Sequence, residues 1–423
     1  MSETYVQRPL RIAQVAPPLE RVPPAAYGGT ERVVHELTEE LVRRGHDVTV
    51  FASADSTVPC RLVPTVQRAL WPSGFTGDPS PAFLETMDAV FARDGEFDVI
   101  HSHLEWWSLA LARSLRSPFI ATFHGRLDVP WSRRLLARRP SGLVAISRSQ
   151  ASVHPEVDWT VIHNGLSLDR MPVAVPRGDG LCFVGRIDAE KGILEAIEIA
   201  TLTGRPLRIA ARIGSRPDER AYYQDVFKPA IERAGRAVEY LGELATDDRN
   251  RLYAESYAAL MPGAWPEPFG LVAIEALACG TPLLARRVGA LPEIVTDGID
   301  GFFGDDAAHL AFLADRVTDL DRAAIRRRVI TRFSAARMGD AYEALYDRLV
   351  DPRATAITTA GGGRRDRHMA PEIVTPANRI VTPASARAGR HLEERPVTGR
   401  LVPVGPGTNS PVRSASSSQR QRD

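Results

Sequence analysis

Two glutamates stand eight positions apart in AWPEPFGLVAIEALACGTP, residues 264–282. Glu267 sits between two prolines ahead of an apolar run, and Glu275 sits inside that run beside Ile274 and Ala276. A carboxylate among apolar neighbours is costly to desolvate unless it is paired or hydrogen-bonded. If the run is helical, the backbone N–H groups of Phe269, Gly270 and Leu271 lie at its start, where a negative group is attracted. The two carboxylates, about 12 Å apart along such a helix, are acceptor-only groups suited to hydroxyls. The plainer alternative is an N-terminal acid favoured by the helix dipole plus an unrelated exposed glutamate.

Three further stretches carry side chains able to act on an anionic, hydroxyl-bearing ligand. FVGRIDAEKG puts Arg186 at a strand end and Lys191 at the next helix start. An arginine fork and a lysine point charge at one corner can clamp a diphosphate. Lys191 and Lys228 are the only lysines in an arginine-rich chain, which marks Lys191 out. PPAAYGGTERVV puts Gly28 and Gly29 between a strand and a helix, where backbone can approach a ligand, although neither the dinucleotide fingerprint nor the P-loop pattern is present. FHGRLD puts His124 at a strand end, able to donate to a sugar hydroxyl or act on a proton. His101 and His103 in IHSHLEWW have a spacing that could hold a metal, but no carboxylate–histidine cluster supports it, and no metal site is expected.

The elements that must position these groups alternate. LRIAQVAP, HDVTVFAS, FDVIHSH, PFIATFHG and GLVAIS read as strands; TERVVHELTEELVRRG places Val33, Val34, Leu37, Leu41 and Val42 at helical spacing, closed by Gly45. After a Pro-, Gly- and Asp-rich break near VIHNGLSLDRMPVAVPRGDG, the alternation resumes through LCFVGRID, PLRIAAR, VEYLGEL, AALMPG and TPLLAR, with helices between. Near-continuous apolar strands alternating with helices predict doubly wound parallel sheets. The fold expected is α/β, with two doubly wound, Rossmann-like domains facing across a cleft. The N-terminal domain is expected over 1–169 and the C-terminal domain over 170–332. Beyond Val350 the chain is rich in Pro, Gly, Ser, Thr and Arg, so residues 351–423 are expected to form a disordered basic tail.

The 423 residues carry a formal net charge of +1 and 44% hydrophobic residues, which argues against general electrostatic attraction to nucleic acid. Three cysteines far apart in sequence read as reduced thiols of a cytoplasmic protein. No secretory signal and no bilayer-length apolar run is visible. PWSRRLLARRP combines Trp131, Leu135 and Leu136 with four arginines, and suggests weak peripheral contact with anionic lipid at the inner face of the membrane; a solvated helix is the simpler account.

Taken in order, AYGGTE, FHG, IHNG, FVGRIDAEKG, EPFGLVAIEALACGTP and GALPEIVTDGIDGFF resemble the family 4 retaining glycosyltransferases of the GT-B fold, over nearly the whole chain from Arg11 to Val350. The resemblance implies transfer of a hexose from a nucleotide-diphosphate sugar, a UDP-sugar first and GDP-mannose next, to a hydroxyl acceptor. It implies no metal and no cofactor, and same-face attack with retention. By the same resemblance Gly28 and Gly29 approach the diphosphate or transferred sugar, and Arg186 and Lys191 neutralise the diphosphate. Backbone at Phe269, Gly270 and Leu271 touches sugar or phosphate; Glu267 contacts the sugar hydroxyls, Glu275 the ribose, and His124 faces the reacting carbon. The acceptor, a small molecule, glycan or lipid, is implied to lie mainly on the N-terminal domain, to which the last helix, 333–350, crosses back. Trp265-Pro266 before Glu267 departs from many relatives and bears on which sugar fits. The competing readings are a nucleotide-sugar epimerase or phosphorylase on the same fold, and an inactive nucleotide-sugar-binding protein.

Overall fold

The computed structural model describes residues 8–26, 28–138, 142–173, 178–214 and 216–350. The tail expected to be disordered, 351–423, lies outside the described residues.

Seven parallel strands form the first sheet: β1 (Arg11–Val15), β2 (Asp47–Ala52), β3 (Arg61–Pro64), β4 (Val99–Ser102), β5 (Phe119–Phe123), β6 (Leu143–Ala145) and β7 (Thr160–Val161). Their order is β3-β2-β1-β4-β5-β6-β7. Six more form the second: β8 (Leu181–Arg186), β9 (Leu207–Arg212), β10 (Val238–Gly242), β11 (Ala258–Met261), β12 (Leu283–Ala285) and β13 (Gly301–Phe303). Their order is β10-β9-β8-β11-β12-β13. Each sheet reverses its winding beside its first strand, between β1 and β4 and between β8 and β11. In open parallel sheets ligands bind at the carboxyl ends of strands flanking such a reversal.

The apolar spacing that predicted the first helix is what buries it. In Gly29–Arg43, Val33, Val34, Leu37 and Leu41 are fully buried and pack with Ile12 and Val50 of the first sheet. Full burial of each such side chain contributes about 1.5–3 kcal/mol. The last helix crosses back to the same core: Met338, Tyr342, Leu345 and Tyr346 join Leu10, Ile12 and Val33. It starts at Ala335 rather than 333, because Phe333 closes the preceding helix, Arg322–Phe333, and Ser334 is extended and bridges Leu166.

The thiols of Cys60, Cys182 and Cys279 are unpaired. Among the described residues no helix is long and apolar enough to cross a membrane. In the arginine-rich segment the helix Ser132–Leu136 turns Leu136 into the core, while Trp131, edge-on against Trp106, stays exposed beside Arg133 and Arg134.

Candidate active site

The loop after β1 leads to the two glycines. Gly28 has φ +151°, and a Cβ there would run into Pro24. A Cβ on Gly29 would lie 3.5 Å from Leu271 Cδ1, so the glycine turn of the first half directly faces the helix Leu271–Ala278 of the second. Gly270 caps that helix at φ +102°, a left-handed conformation open to glycine at little cost. Among the described residues the N–H groups of Gly270 and Leu271 have no protein acceptor, which leaves the positive end of the helix available to an anion.

The cationic corner forms where β8 ends. Asp188 accepts from Glu190 N at 3.0 Å and fixes the turn that lifts Lys191 out of the sheet. The Lys191 ammonium pairs with Glu267, and Arg186 pairs with Glu219 at 3.0 Å and Asp188 at 3.6 Å. An anion entering this corner would compete with these carboxylates for both cations. The Lys191–Glu267 pair also shows how close Glu267 lies to this cationic corner.

Glu275 is not the exposed glutamate of the plainer alternative. It is 3% exposed; one oxygen accepts from Arg32 and from Arg249 at 3.3 Å, and the other from the Tyr253 hydroxyl at 3.2 Å. Burial alone would raise its pKa, but Arg249 and Arg32 outweigh that and hold it below the usual carboxylate value. A carboxylate offers about four lone-pair positions, so these three donors leave one for a further hydroxyl. The two glutamates are therefore unequal. Glu267 carries one cation at the cleft surface, and Glu275 anchors the two halves, because Arg32 belongs to the first half and Arg249 to the second.

His124 follows β5 and is fixed from both ends. Its backbone N–H and that of Gly125 donate to Glu105 at 2.9 and 3.0 Å. Its Nε2 meets His103 Nδ1 at 2.9 Å, and His103 Nε2 meets the Gln14 amide oxygen at 2.9 Å. An amide oxygen can only accept, so His103 carries its proton on Nε2. Burial lowers both imidazoles, His124 to about 3 and His103 well below its ordinary value, so both are neutral near pH 7. His103 Nδ1 then accepts from His124 Nε2–H, which leaves His124 Nδ1 as a lone pair. His101, the other half of the spacing that could have held a metal, bonds Thr122 at 2.7 Å and Tyr346 at 2.8 Å. Among the described residues no group of three or more His, Cys, Asp and Glu is arranged as a metal site.

Gly28, Gly29, Phe269, Gly270 and Leu271 line a single cleft of about 430 Å³ at the strand ends, and so do His124, Arg186, Lys191, Glu267 and Glu275. Phe269 contributes through its backbone side, since its ring is buried against His163 and Phe333. The sequence reading missed Glu105, which has φ +52° and a carboxyl raised by burial to about 7. It missed Arg32, one turn into the first helix, and Glu31, whose carboxyl burial raises to about 8. It also missed Glu293 of the GALPEIV stretch, which accepts from Arg148 N at 3.0 Å, Ser149 N at 2.8 Å and His163 at 2.9 Å, and so ties the halves together. Only the Glu-Arg pair directly after Gly-Gly-Thr gave any signal in sequence: charges in a first helical turn beside a glycine loop.

Comparisons with known proteins agree with this geometry. Residues 27–170 match the profile of Glycosyltransferase Family 4, and residues 177–331 match Glycosyl transferases group 1. The chain is 30% identical to a glycogen synthase of Mycobacterium tuberculosis, over 72% of this chain and 86% of that one. It is 30% identical to a phosphatidyl-myo-inositol mannosyltransferase of Mycobacterium leprae, over 75% and 89%. Among solved structures it superposes on AviGT4, a glycosyltransferase involved in avilamycin A biosynthesis, with TM-score 0.62 and 26% identity, covering 81% of this chain and 98% of that one. Anabaena HepE, solved in complex with UDP-glucose, shares the fold at TM-score 0.63 and 18% identity, over 79% and 99%. The chain belongs to family 4 of the glycosyltransferases and has the two-sheet GT-B fold.

Proposed function

We propose that the protein is a retaining glycosyltransferase that moves a hexose from a nucleotide-diphosphate sugar to a hydroxyl acceptor without a metal ion. The observation that carries the reading is the convergence of Arg186, Lys191, Glu267 and the uncapped start of the helix Leu271–Ala278 on one cleft with His124. UDP is the favoured base and GDP, with mannose, the next. Complexes of HepE with UDP-glucose, and with UDP and glucose, support the first choice. A phosphatidyl-myo-inositol mannosyltransferase among the relatives keeps the second in view.

In the reaction the bond from the anomeric carbon to the β-phosphate oxygen breaks, and its electron pair leaves on that oxygen. The acceptor hydroxyl oxygen bonds to the same carbon from the same face, and its proton passes to the leaving phosphate oxygen. Arg186, Lys191 and the helix start stabilise the departing charge as fixed positive groups that need no reorganisation. Glu267 holds the sugar hydroxyls. His124, neutral and directed by His103, offers its Nδ1 lone pair to a hydroxyl beside the reacting carbon. Glu275 reaches the ribose through its remaining acceptor position. Peripheral membrane contact would rest on Arg133 and Arg134 together with the exposed ring of Trp131.

Incubating the pure protein with UDP-, GDP- and ADP-sugars and measuring nucleotide release tests the reading. Nucleoside diphosphate release that rises with an added acceptor supports it. Release of nucleoside monophosphate, or no turnover with any donor, overturns it.

A further inference from the structure

Glu105 opens the short helical turn Glu105–Trp107 that follows β4, and it lines the cleft. Among the described residues it is the one non-glycine with positive φ, +52°. A side chain in that backbone region is strained, and such strain persists only where the surroundings hold it. Here the hold is a fork: Oε1 alone accepts from the N–H groups of His124 at 2.9 Å and Gly125 at 3.0 Å. Those two residues form the turn by which the chain leaves β5 and enters the cleft. The other oxygen, Oε2, has no hydrogen-bond partner among the described residues, and no arginine or lysine among them pairs with the carboxyl. Gly125 places no side chain over Oε2, where a Cβ would lie 3.5 Å away.

We propose that Glu105 is a positioning residue for the transfer reaction: its carboxylate clamps the His124–Gly125 turn and so aims the His124 Nδ1 lone pair. The proposal rests on the glycosyltransferase reading and adds a residue to it. Without the clamp, His124 is held through its ring, by the Nε2 contact with His103 at 2.9 Å. A single hydrogen bond leaves a ring free to pivot, and a second anchor on the backbone removes that freedom. Placement counts beside a reacting carbon, where a small displacement costs much of the rate. Hydrogen bonds to a charged oxygen are roughly twice as strong as those to a neutral one, so protonation of Glu105 slackens the turn without releasing it. Burial raises this carboxyl to about 7, while the two N–H groups favour the charged form and limit the rise. The clamp is therefore tight above about pH 7 and slack below it. Among the described residues the ionisable groups around it are Glu31 of the first helix, coupled to it as a like charge, and the neutral His124 and His103. Arg126, next to Gly125, is held by Asp128 at 2.7 Å.

Nitrogen-15 labelling of histidine and glycine in the full chain tests the clamp without a substrate. The amide protons of His124 and Gly125 should shift together with a midpoint near pH 7. In Glu105→Gln, whose amide oxygen can still accept from both N–H groups, that titration should vanish. Amides that titrate apart, or that titrate unchanged in the variant, overturn the clamp. Its effect on the reaction is read as kcat for nucleotide release from whichever UDP-, GDP- or ADP-sugar turns over, with water as the acceptor. The wild-type kcat should rise about fivefold from about pH 6 to about pH 8. In Glu105→Gln it should be about tenfold lower at about pH 8, with the donor KM within about threefold and the rise with pH lost. Glu105→Asp, which keeps the charge, should keep the rise and recover part of kcat. A wild-type kcat and pH rise in Glu105→Gln overturn the proposal, as does a rise that is lost in Glu31→Gln but kept in Glu105→Gln. No release from any donor counts against the glycosyltransferase reading itself, and the amide shifts still decide the clamp.

Discussion

Arg126 and Trp265 face one another across the cleft: the guanidinium lies 4.5 Å from the centroid of the indole. Arg126 follows His124 by two positions and Trp265 precedes Glu267 by two, so this contact couples the histidine loop to the glutamate loop. Lys191 sits over the same ring at 5.6 Å, and Arg126 approaches Glu190 at 3.7 Å. The tryptophan that marks a departure from many relatives therefore stands among the cations of the cleft, where it can also shape the sugar pocket.

Removing Arg126 weakens that coupling while leaving the anion clamp intact. A partly exposed cation–π contact is worth about 0.5–1 kcal/mol. Arg126→Ala is expected to lower kcat/KM for transfer about two- to fivefold, with little change in thermal stability. Steady-state nucleotide release measures it, and wild-type kinetics in the variant would refute the coupling.

Lys191 and Arg186 are assigned to the leaving diphosphate, so their loss falls on kcat. Lys191→Ala and Arg186→Ala are each expected to reduce kcat by about 10²–10³-fold, the range found when one preorganised stabilising group is removed from a developing anion. Lys191→Ala also frees Glu267 from its ion pair, so a thermal-shift measurement should show the fold intact. A kcat within threefold of wild type for both variants would remove them from the chemistry.

Glu275 makes a different prediction, because it is a structural anchor as well as a candidate ribose contact. Glu275→Gln leaves Arg32 and Arg249 without their shared counter-charge in a buried place. Breaking a buried pair in this way costs about 3–5 kcal/mol, so denaturant unfolding should show a large loss of stability. Glu267→Gln, at the cleft surface, should cost under about 1 kcal/mol in the same measurement. Equal stability of the two variants would contradict the asymmetry.

Stability should also depend on pH in a particular direction. Burial raises Glu31 to about 8 and Glu20 and Glu105 to about 7, from an ordinary value of 4.5. Between those values the folded chain holds protons that the unfolded chain has released, so stability falls as pH rises. His124, lowered from 6.5 to about 3, acts in the opposite sense between those two values, where the unfolded chain binds the extra proton. His101 and His103, also lowered by burial, act in the same sense; the opposing contribution is half spent at about pH 6.5 and nearly gone about one unit higher, so Tm should decline from about pH 7 to pH 8. Calorimetry across this range checks it: Glu31→Gln should flatten the decline, and a Tm that rises with pH would contradict it.

Sequence periodicity carried the sheets and the placement of His124, Arg186, Lys191 and Glu267, because each lies within a few residues of a strand end that apolar runs make visible, whereas Gly28 was visible from the glycine pair at the start of the first helix. The same logic could not reach the pairing of Glu275 with Arg32, 243 positions away, since nothing local in either stretch names the other. Glu105 was hidden for another reason. Its role depends on a positive φ and on two backbone N–H groups, neither of which a residue type announces. Gln14 is the one buried polar residue of β1, and its meaning appears only with its neighbours in place.

Those neighbours link the last helix to the proposed site. The Gln14 amide nitrogen donates to the Tyr346 hydroxyl at 3.1 Å while its oxygen faces His103. The same amide nitrogen lies 3.3 Å from His101 Nδ1, so the hydroxyl and His101 together decide which end of one amide points toward the cleft, and with it which nitrogen of His124 is bare. Tyr346→Phe removes one of these two holds and eases a turn of the amide, and a turned amide exchanges the protonated and bare nitrogens of both His103 and His124. Nitrogen-15 shifts of His124 should then report the other tautomer; an unchanged tautomer would show that the hold lies elsewhere. A helix at the far end of the described chain would in that way set the sign of a hydrogen bond at the proposed site.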